Sequence, residues 1–244
     1  MELTMAKLRT LERMLIGATL ATIALLAWAY MAMPISVAGE WNLHLLGLNA
    51  IMWTVMMVAM MLPGAAPMIM TYTRVYQRRN TVRRAVAPTG LFMLGYLAVW
   101  TIFGLVAALA QWTLHQTALL TSAMGHVEPL FGGALLVLAG LFQFSRLKQA
   151  CLSRCQSPLT FLMTEWRDGA FGAFAMGARH GAFCTGCCWA LMLLMFVGGV
   201  MSLVWMGGLA LYFLAEKVAP WPRAFSQVTG SFLVAGGLLV GATY

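Results

Sequence analysis

Seven stretches of this chain run for close to twenty residues with almost no charge: 14–33, 43–62, 88–111, 128–145, 184–201, 202–219 and 224–243. Nothing else in the sequence restricts the fold so severely. A helix crosses a bilayer in about 20 mostly apolar residues. Inside lipid, only helices and closed barrels satisfy all of their own backbone groups. These stretches lack the in/out alternation of barrel strands. The expectation is an all-α, polytopic transmembrane bundle of about seven spans. The fourth is short, and only a tight turn near Gly198 and Gly199 separates the fifth from the sixth. Composition agrees: 61% of residues are hydrophobic and 9% charged, against about a quarter charged in soluble domains. With no linker or low-complexity tract, residues 1–244 read as a single integral membrane domain.

The basic residues orient the spans, because cytoplasmic loops hold an excess of Lys and Arg. A cytoplasmic N-terminus puts Lys7, Arg9 and Arg13 inside, followed by Arg74, Arg78, Arg79, Arg83 and Arg84. Arg146, Lys148, Arg154, Arg167 and Arg179 follow on the same side, and then Lys217 and Arg223. Those are all fifteen basic residues of the chain. The outer loops keep Glu40, His44, His115, His126 and Glu128. The pI near 9.7 is thereby an orientation signal, and nucleic acid is not an expected partner. The motif "SVA" at 36–38 looks like a signal-peptidase site, but its apolar run exceeds the roughly 7–15 residues of a signal sequence and reads as an anchor. The expected location is the bacterial plasma (inner) membrane.

Soft ligands gather on the cytoplasmic side of this map. Cys151 and Cys155, four apart, share a helix face in a cytoplasmic loop at about 146–168. His180, Cys184, Cys187 and Cys188 fall at about 0°, 40°, −20° and 80° around a helix, one narrow stripe at the cytoplasmic face or the first turn of span five. Span two carries Met56, Met60, Met61 and Met68, with Pro63 and Pro67 bracketing Gly64, where the helix should break. Plainer readings exist for each. Met fills membrane helices, a free Cys behaves as a small hydrophobe, and the glycines around His180 suit close helix packing. Their concentration on one side of the bilayer favours chemistry. The cytoplasm keeps thiols reduced, so metal binding is expected over disulfide exchange. Thiolate and thioether together select Cu(I) first, with Zn(II) fitting the Cys/His part. Arg179 costs about 2.5–3.5 kcal/mol if held deep in lipid, so it should snorkel to the interface or pair, with Asp168 and Glu216 as available partners. Glu216 could instead orient His180 as an outer partner of the metal site.

These residues resemble a bacterial family of predicted metal-binding integral membrane proteins of unknown function, some of whose members are described as copper chaperones. The resemblance rests on "MMVAMMLPGAAPM" (56–68), "KQACLSRCQSPLTFL" (148–162), "RHGAFCTGCCWALM" (179–192) and "EK" (216–217), in that order. The motif positions it matches are Pro63, Pro67, Met68, Cys151, Cys155, His180, Cys184, Cys187, Cys188 and Glu216, and it implies a metal-binding role for the chain.

The functional expectation is a membrane protein binding a soft metal for delivery to a partner protein or for transport, with the lipid bilayer and a metal-donor or metal-acceptor protein as partners. No nucleotide motif and no mid-membrane carboxylate point to pumping, and an enzyme is not the first expectation. Two other classes fit the same cysteines: a membrane thiol oxidoreductase, and an assembly subunit with a structural metal site. The orientation itself is testable. A reporter fused after Tyr244 should register the periplasmic side, and a cytoplasmic signal there would reverse the map.

Overall fold

A computed structural model of the chain describes residues 2–33, 43–80, 84–116, 127–200 and 202–243. The expectations for "SVA", Glu40, Arg83, His126 and Tyr244 lie outside these. The described elements are helices: α1 (Glu2–Met31), α2 (Leu43–Arg79), α3 (Val86–Gln116), α4 (Pro129–Gln143), α5 (Arg146–Gln156), α6 (Pro158–Glu165), α7 (Gly169–Met192), α8 (Met195–Gly198), α9 (Leu203–Val218) and α10 (Pro222–Thr243). Five stretches are long and apolar enough to cross a membrane: α1, α2, α3, α7 with α8, and α10. The pair α4 and α5, bent by 65°, makes a sixth if it counts as one broken span. The expected count of about seven included the last of the short helices, α9, whose 16 residues extend about 24 Å. Large apolar side chains such as Leu25, Ile102, Val204 and Phe232 point outward, as lipid-facing residues do.

Local chemistry sets the boundaries. Glu128 caps α4 by accepting from the Phe131 N–H at 3.2 Å, with Pro129 in the first turn, where its missing N–H does no harm. Ser145 caps α5 by accepting from the Lys148 N–H at 3.1 Å, and Ser202 does the same for α9 toward Trp205 at 3.3 Å. Gly199, at φ +89°, takes the left-handed turn between α8 and α9 that other residues rarely adopt. The Trp205 ring lies over Gly198, and its Nε1 donates to the Leu194 carbonyl at 2.8 Å.

Residues 146–168, expected as a cytoplasmic loop, carry the two helices α5 and α6. α5 turns back and packs on α7, with further contacts to α6 and α9. The central packing is α3 on α7 and α2, with α1 outside α2 and α10 against α4. Along α3 and α7 the backbones touch: a Cβ on Gly95 would strike the Phe174 carbonyl, and one on Gly177 the Phe92 carbonyl. The plainer reading of these glycines, close packing, holds here. The starts and ends of successive helices also meet where the basic residues lie. Gln77 near the end of α2 donates to the Arg9 carbonyl at 3.2 Å and to Glu12 Oε2 at 3.0 Å on α1.

Pro63 and Pro67 do not break α2, which runs unbroken through both. A proline in a helix leaves the carbonyl four residues earlier without its donor. For Pro63 that carbonyl is Ala59, and it accepts instead from the indole N–H of Trp28 on α1 at 3.0 Å. A neighbouring helix thus replaces the missing bond, as membrane bundles allow. Trp28→Phe should therefore cost about 1–2 kcal/mol in the native chain and markedly less in a Pro63→Ala background, where residue 63 regains its N–H. Thermal unfolding of the four proteins in detergent measures this coupling.

Candidate metal centre

The stripe His180, Cys184, Cys187 and Cys188 lies on one helix, α7, and all four side chains are buried. Its position differs from expectation. α7 begins at Gly169, so Cys184 sits well inside the helix, about 22 Å along its axis, and not in a first turn. α5 comes to meet it there. Cys151 Sγ lies 2.8 Å from where a Cβ on Gly186 would sit, so the absent side chain of Gly186 admits the thiol to the face of α7. One turn on, the Cys155 side chain interacts with both Cys184 and Cys187. Cys187 and Cys188 each donate a thiol hydrogen bond to the Cys184 carbonyl at 3.0 Å. All five cysteines are free thiols. Among the described residues, no group of three or more His, Cys, Asp or Glu is arranged to hold a metal ion.

Cys184 is the most connected sulfur. The ammonium of Lys217, from the end of α9, donates to its Sγ at 3.2 Å. The Tyr96 hydroxyl lies 3.4 Å from the same sulfur and donates to the Met61 carbonyl at 3.2 Å. α3 and α9 therefore meet α7 at this sulfur, and Tyr96 links it on to α2. His180 stands among rings: stacked on Tyr96 and Phe92 at centroid distances of 5.5 and 6.3 Å, and edge-on to Phe161 at 5.7 Å. Among the described residues, neither of its ring nitrogens has a hydrogen-bond partner. Buried polar atoms are paired in the great majority of cases, so an imidazole with both nitrogens idle is chemically available. Met56, Met60, Met61 and Met68 are buried in the same core as the cysteines.

Two charge assignments from the sequence are corrected. Arg179 pairs with Glu165 at 2.9 Å, at the surface, while Asp168 accepts from the Trp166 indole at 2.8 Å. Glu216 does not orient His180. It is buried and pairs with Lys148 at 2.8 Å, both side chains being almost fully enclosed. It also accepts from Tyr212 at 3.0 Å and Ser226 at 2.8 Å. Lys148 in turn donates to the Cys187 carbonyl at 3.2 Å, and Gln156 donates to the Glu216 backbone carbonyl at 2.9 Å. Sequence reasoning treated Lys148 and Lys217 only as orienting charges, and left Tyr96 out. One signal was available: Lys148 stands three and seven residues before Cys151 and Cys155, on their helix face.

Residues 50–240 match the family model PpoB2, whose description is copper chaperone. The chain belongs to the PpoB2 family. The match takes in all four stretches that carried the sequence resemblance, from 56–68 to 216–217. No curated protein and no solved structure matches the chain.

In this PpoB2 protein the buried pair Lys148–Glu216 fixes α5 against α7 and α9. Removing one partner of a buried pair leaves an uncompensated charge, at a cost of about 3–5 kcal/mol. Lys148→Met alone should destabilise the chain on that scale. The double variant Lys148→Met with Glu216→Gln, which keeps acceptors for Tyr212 and Ser226, should recover most of the loss in thermal unfolding.

Proposed function

We propose that this PpoB2 protein is an integral protein of the bacterial plasma membrane that takes Cu(I) on sulfur at its cytoplasmic side and passes it to a partner protein or across the bilayer. The observations that carry this reading are Cys151 of α5 seated on the face of α7 at Gly186 and the Lys217 ammonium 3.2 Å from the buried Cys184 sulfur. Segments far apart in sequence bring thiols together in a dry interior, beside an ammonium that offsets thiolate charge. The ligands would be Cys184 with Cys155 or Cys187, His180 being free to add an imidazole nitrogen. Cys151 and Cys188 flank them, and Met56, Met60, Met61 and Met68 offer weaker thioether stations.

The chemistry of the donors favours Cu(I). Thiolate and thioether are soft ligands, and a pair of thiolates satisfies a monovalent d¹⁰ ion. Zn(II) takes four ligands in a tetrahedron, more than the two thiolates with an optional imidazole proposed above. Binding would release thiol protons, since the thiolate is the ligand. Glu216 and Arg179 take no direct part: Glu216 holds the scaffold through Lys148, and Arg179 is occupied at the surface.

Metal analysis of detergent-purified protein tests the reading. Protein loaded with Cu(I) under reducing conditions should retain it, and Cys155→Ser, Cys184→Ser and Cys187→Ser should each lower the retained copper sharply while the fold survives. His44→Ala, His115→Ala and His126→Ala should leave it unchanged. Copper lost in the histidine variants but kept in the cysteine variants would put the site on the other side of the membrane. Cysteine variants that fail to accumulate as folded protein would point to a structural site. A redox-dependent gel shift without bound metal would point to thiol exchange.

A further inference from the structure

Among the described residues, the Lys217 ammonium donates to the sulfur of Cys184, 3.2 Å from Nζ, and packs on the bare α-carbon of Gly64 on α2. A Cβ built on Gly64 would lie 2.9 Å from Nζ, 3.5 Å from Cδ and 3.7 Å from Cε. The side chain is thus threaded between the Pro63–Pro67 segment of α2 and Cys184, a residue with no exposed surface. The adjacent carboxylate is taken. Glu216 is held by Lys148, Tyr212 and Ser226, and the ion pairs of the described residues, Lys148–Glu216 and Arg179–Glu165, leave Lys217 with no carboxylate. Lys217 as a whole is half-buried, but its ammonium lies against a sulfur with no exposed surface, and holding a cation there without an anionic side chain is costly. It is explained if the anion is the thiolate site itself.

We propose that Lys217 is a fixed counter-charge that makes the sulfur site selective for a monovalent soft cation over a divalent one. The inference rests on the copper reading above and goes beyond it to how the ion is chosen. Two thiolates and a monovalent ion sum to one negative charge, and the ammonium brings the assembly to neutrality. Two thiolates and a divalent ion are already neutral, so the same ammonium leaves a buried excess of one positive charge. The Lys148–Glu216 pair adds no net charge, and a ligating imidazole is neutral. Unit charges a few ångströms apart inside a protein interact strongly, and an uncompensated buried charge is penalised. The ammonium therefore stabilises the monovalent complex and opposes the divalent one. Soft ligands alone would not do this, because thiolates bind soft divalent ions as well.

The test compares Cu(I) with Cd(II), a soft divalent ion, on the full-length protein in detergent. Each affinity is measured by competition with a chromophoric chelator and by the ultraviolet thiolate-to-metal absorption. Lys217→Met removes the charge and keeps the stem. It should lower the ratio of Cu(I) to Cd(II) affinity by about a hundredfold or more, with Cd(II) binding more tightly than in the wild type. Gly64→Ala retains the lysine but places a methyl where Nζ now packs. It should shift the ratio in the same direction by less, and it decides the matter if Lys217→Met does not fold. A folded variant that loses affinity for both ions equally, or for neither, overturns the counter-charge. Wild-type protein that binds neither ion overturns the copper reading itself, and the counter-charge with it.

Discussion

Glu216 is the residue on which the arrangement of this bundle turns. Its carboxylate holds Lys148 at the start of α5, and its backbone carbonyl holds Gln156 at the end of the same helix. An eleven-residue helix is too short to be stable alone, and α5 is not long enough to cross a membrane. It is pinned at both ends to one residue of α9. Tyr212 and Ser226 complete the carboxylate's partners, so α9 and α10 are drawn into the same network. A buried ion pair is weak evidence for stability, because desolvation offsets the attraction. Its effect here is positional. With Lys148 fixed against the Cys187 carbonyl, Cys151 and Cys155 have one place to go, and that place is the cysteine face of α7.

Small residues and imino acids let the other helices come close enough. Gly186 admits Cys151, Gly64 admits Lys217, and Gly177 and Gly95 let α3 and α7 touch backbone to backbone. That close α3–α7 contact also brings Tyr96 to Cys184 and places the Tyr96 and Phe92 rings over His180. Pro63 and Pro67 flank the Gly64 notch in α2, and the one carbonyl that Pro63 orphans is repaired by Trp28. The region thus combines a buried, ring-lined packing site with two lysines delivered from different helices for different purposes.

How much of this was legible depends on the range of each interaction. The helical class followed from the apolar runs, and the stripe of His180, Cys184, Cys187 and Cys188 followed from helical periodicity, because both are local. The start of α7 was misplaced by 15 residues, from 184 to 169, because its glycine-rich first turns and Arg179 dilute the hydropathy signal. The proline break was expected because a chain segment by itself shows the lost donor. The replacement donor, Trp28, lies on another helix. Arg179 was assigned to the wrong carboxylates for a similar reason: Glu165 reaches it only because α6 ends beside α7. Lys148 was in view as part of the Lys148, Cys151, Cys155 face. Counting all basic residues for orientation hid that this one points inward.

The same burial pattern constrains how a bound ion could be exchanged on the proposed reading. Cys184 has no exposed surface, Cys187 and Cys188 retain 1%, and Cys151 and Cys155 on α5 retain 8% each. An incoming ligand would therefore meet the sulfurs of α5 before those of α7. Ligand exchange on a thiolate-bound ion proceeds most easily when the newcomer adds before the old ligand departs, so the outermost sulfur is the natural place for it. α5 is tied at both ends by Glu216, which argues against the whole helix swinging away to release the ion. Local displacement of Cys155, with the ion kept on Cys184, needs no break in the Lys148–Glu216 pair. The rigid scaffold and the exchangeable edge are then two faces of one short helix, set by which side of it Lys148 and the cysteines occupy.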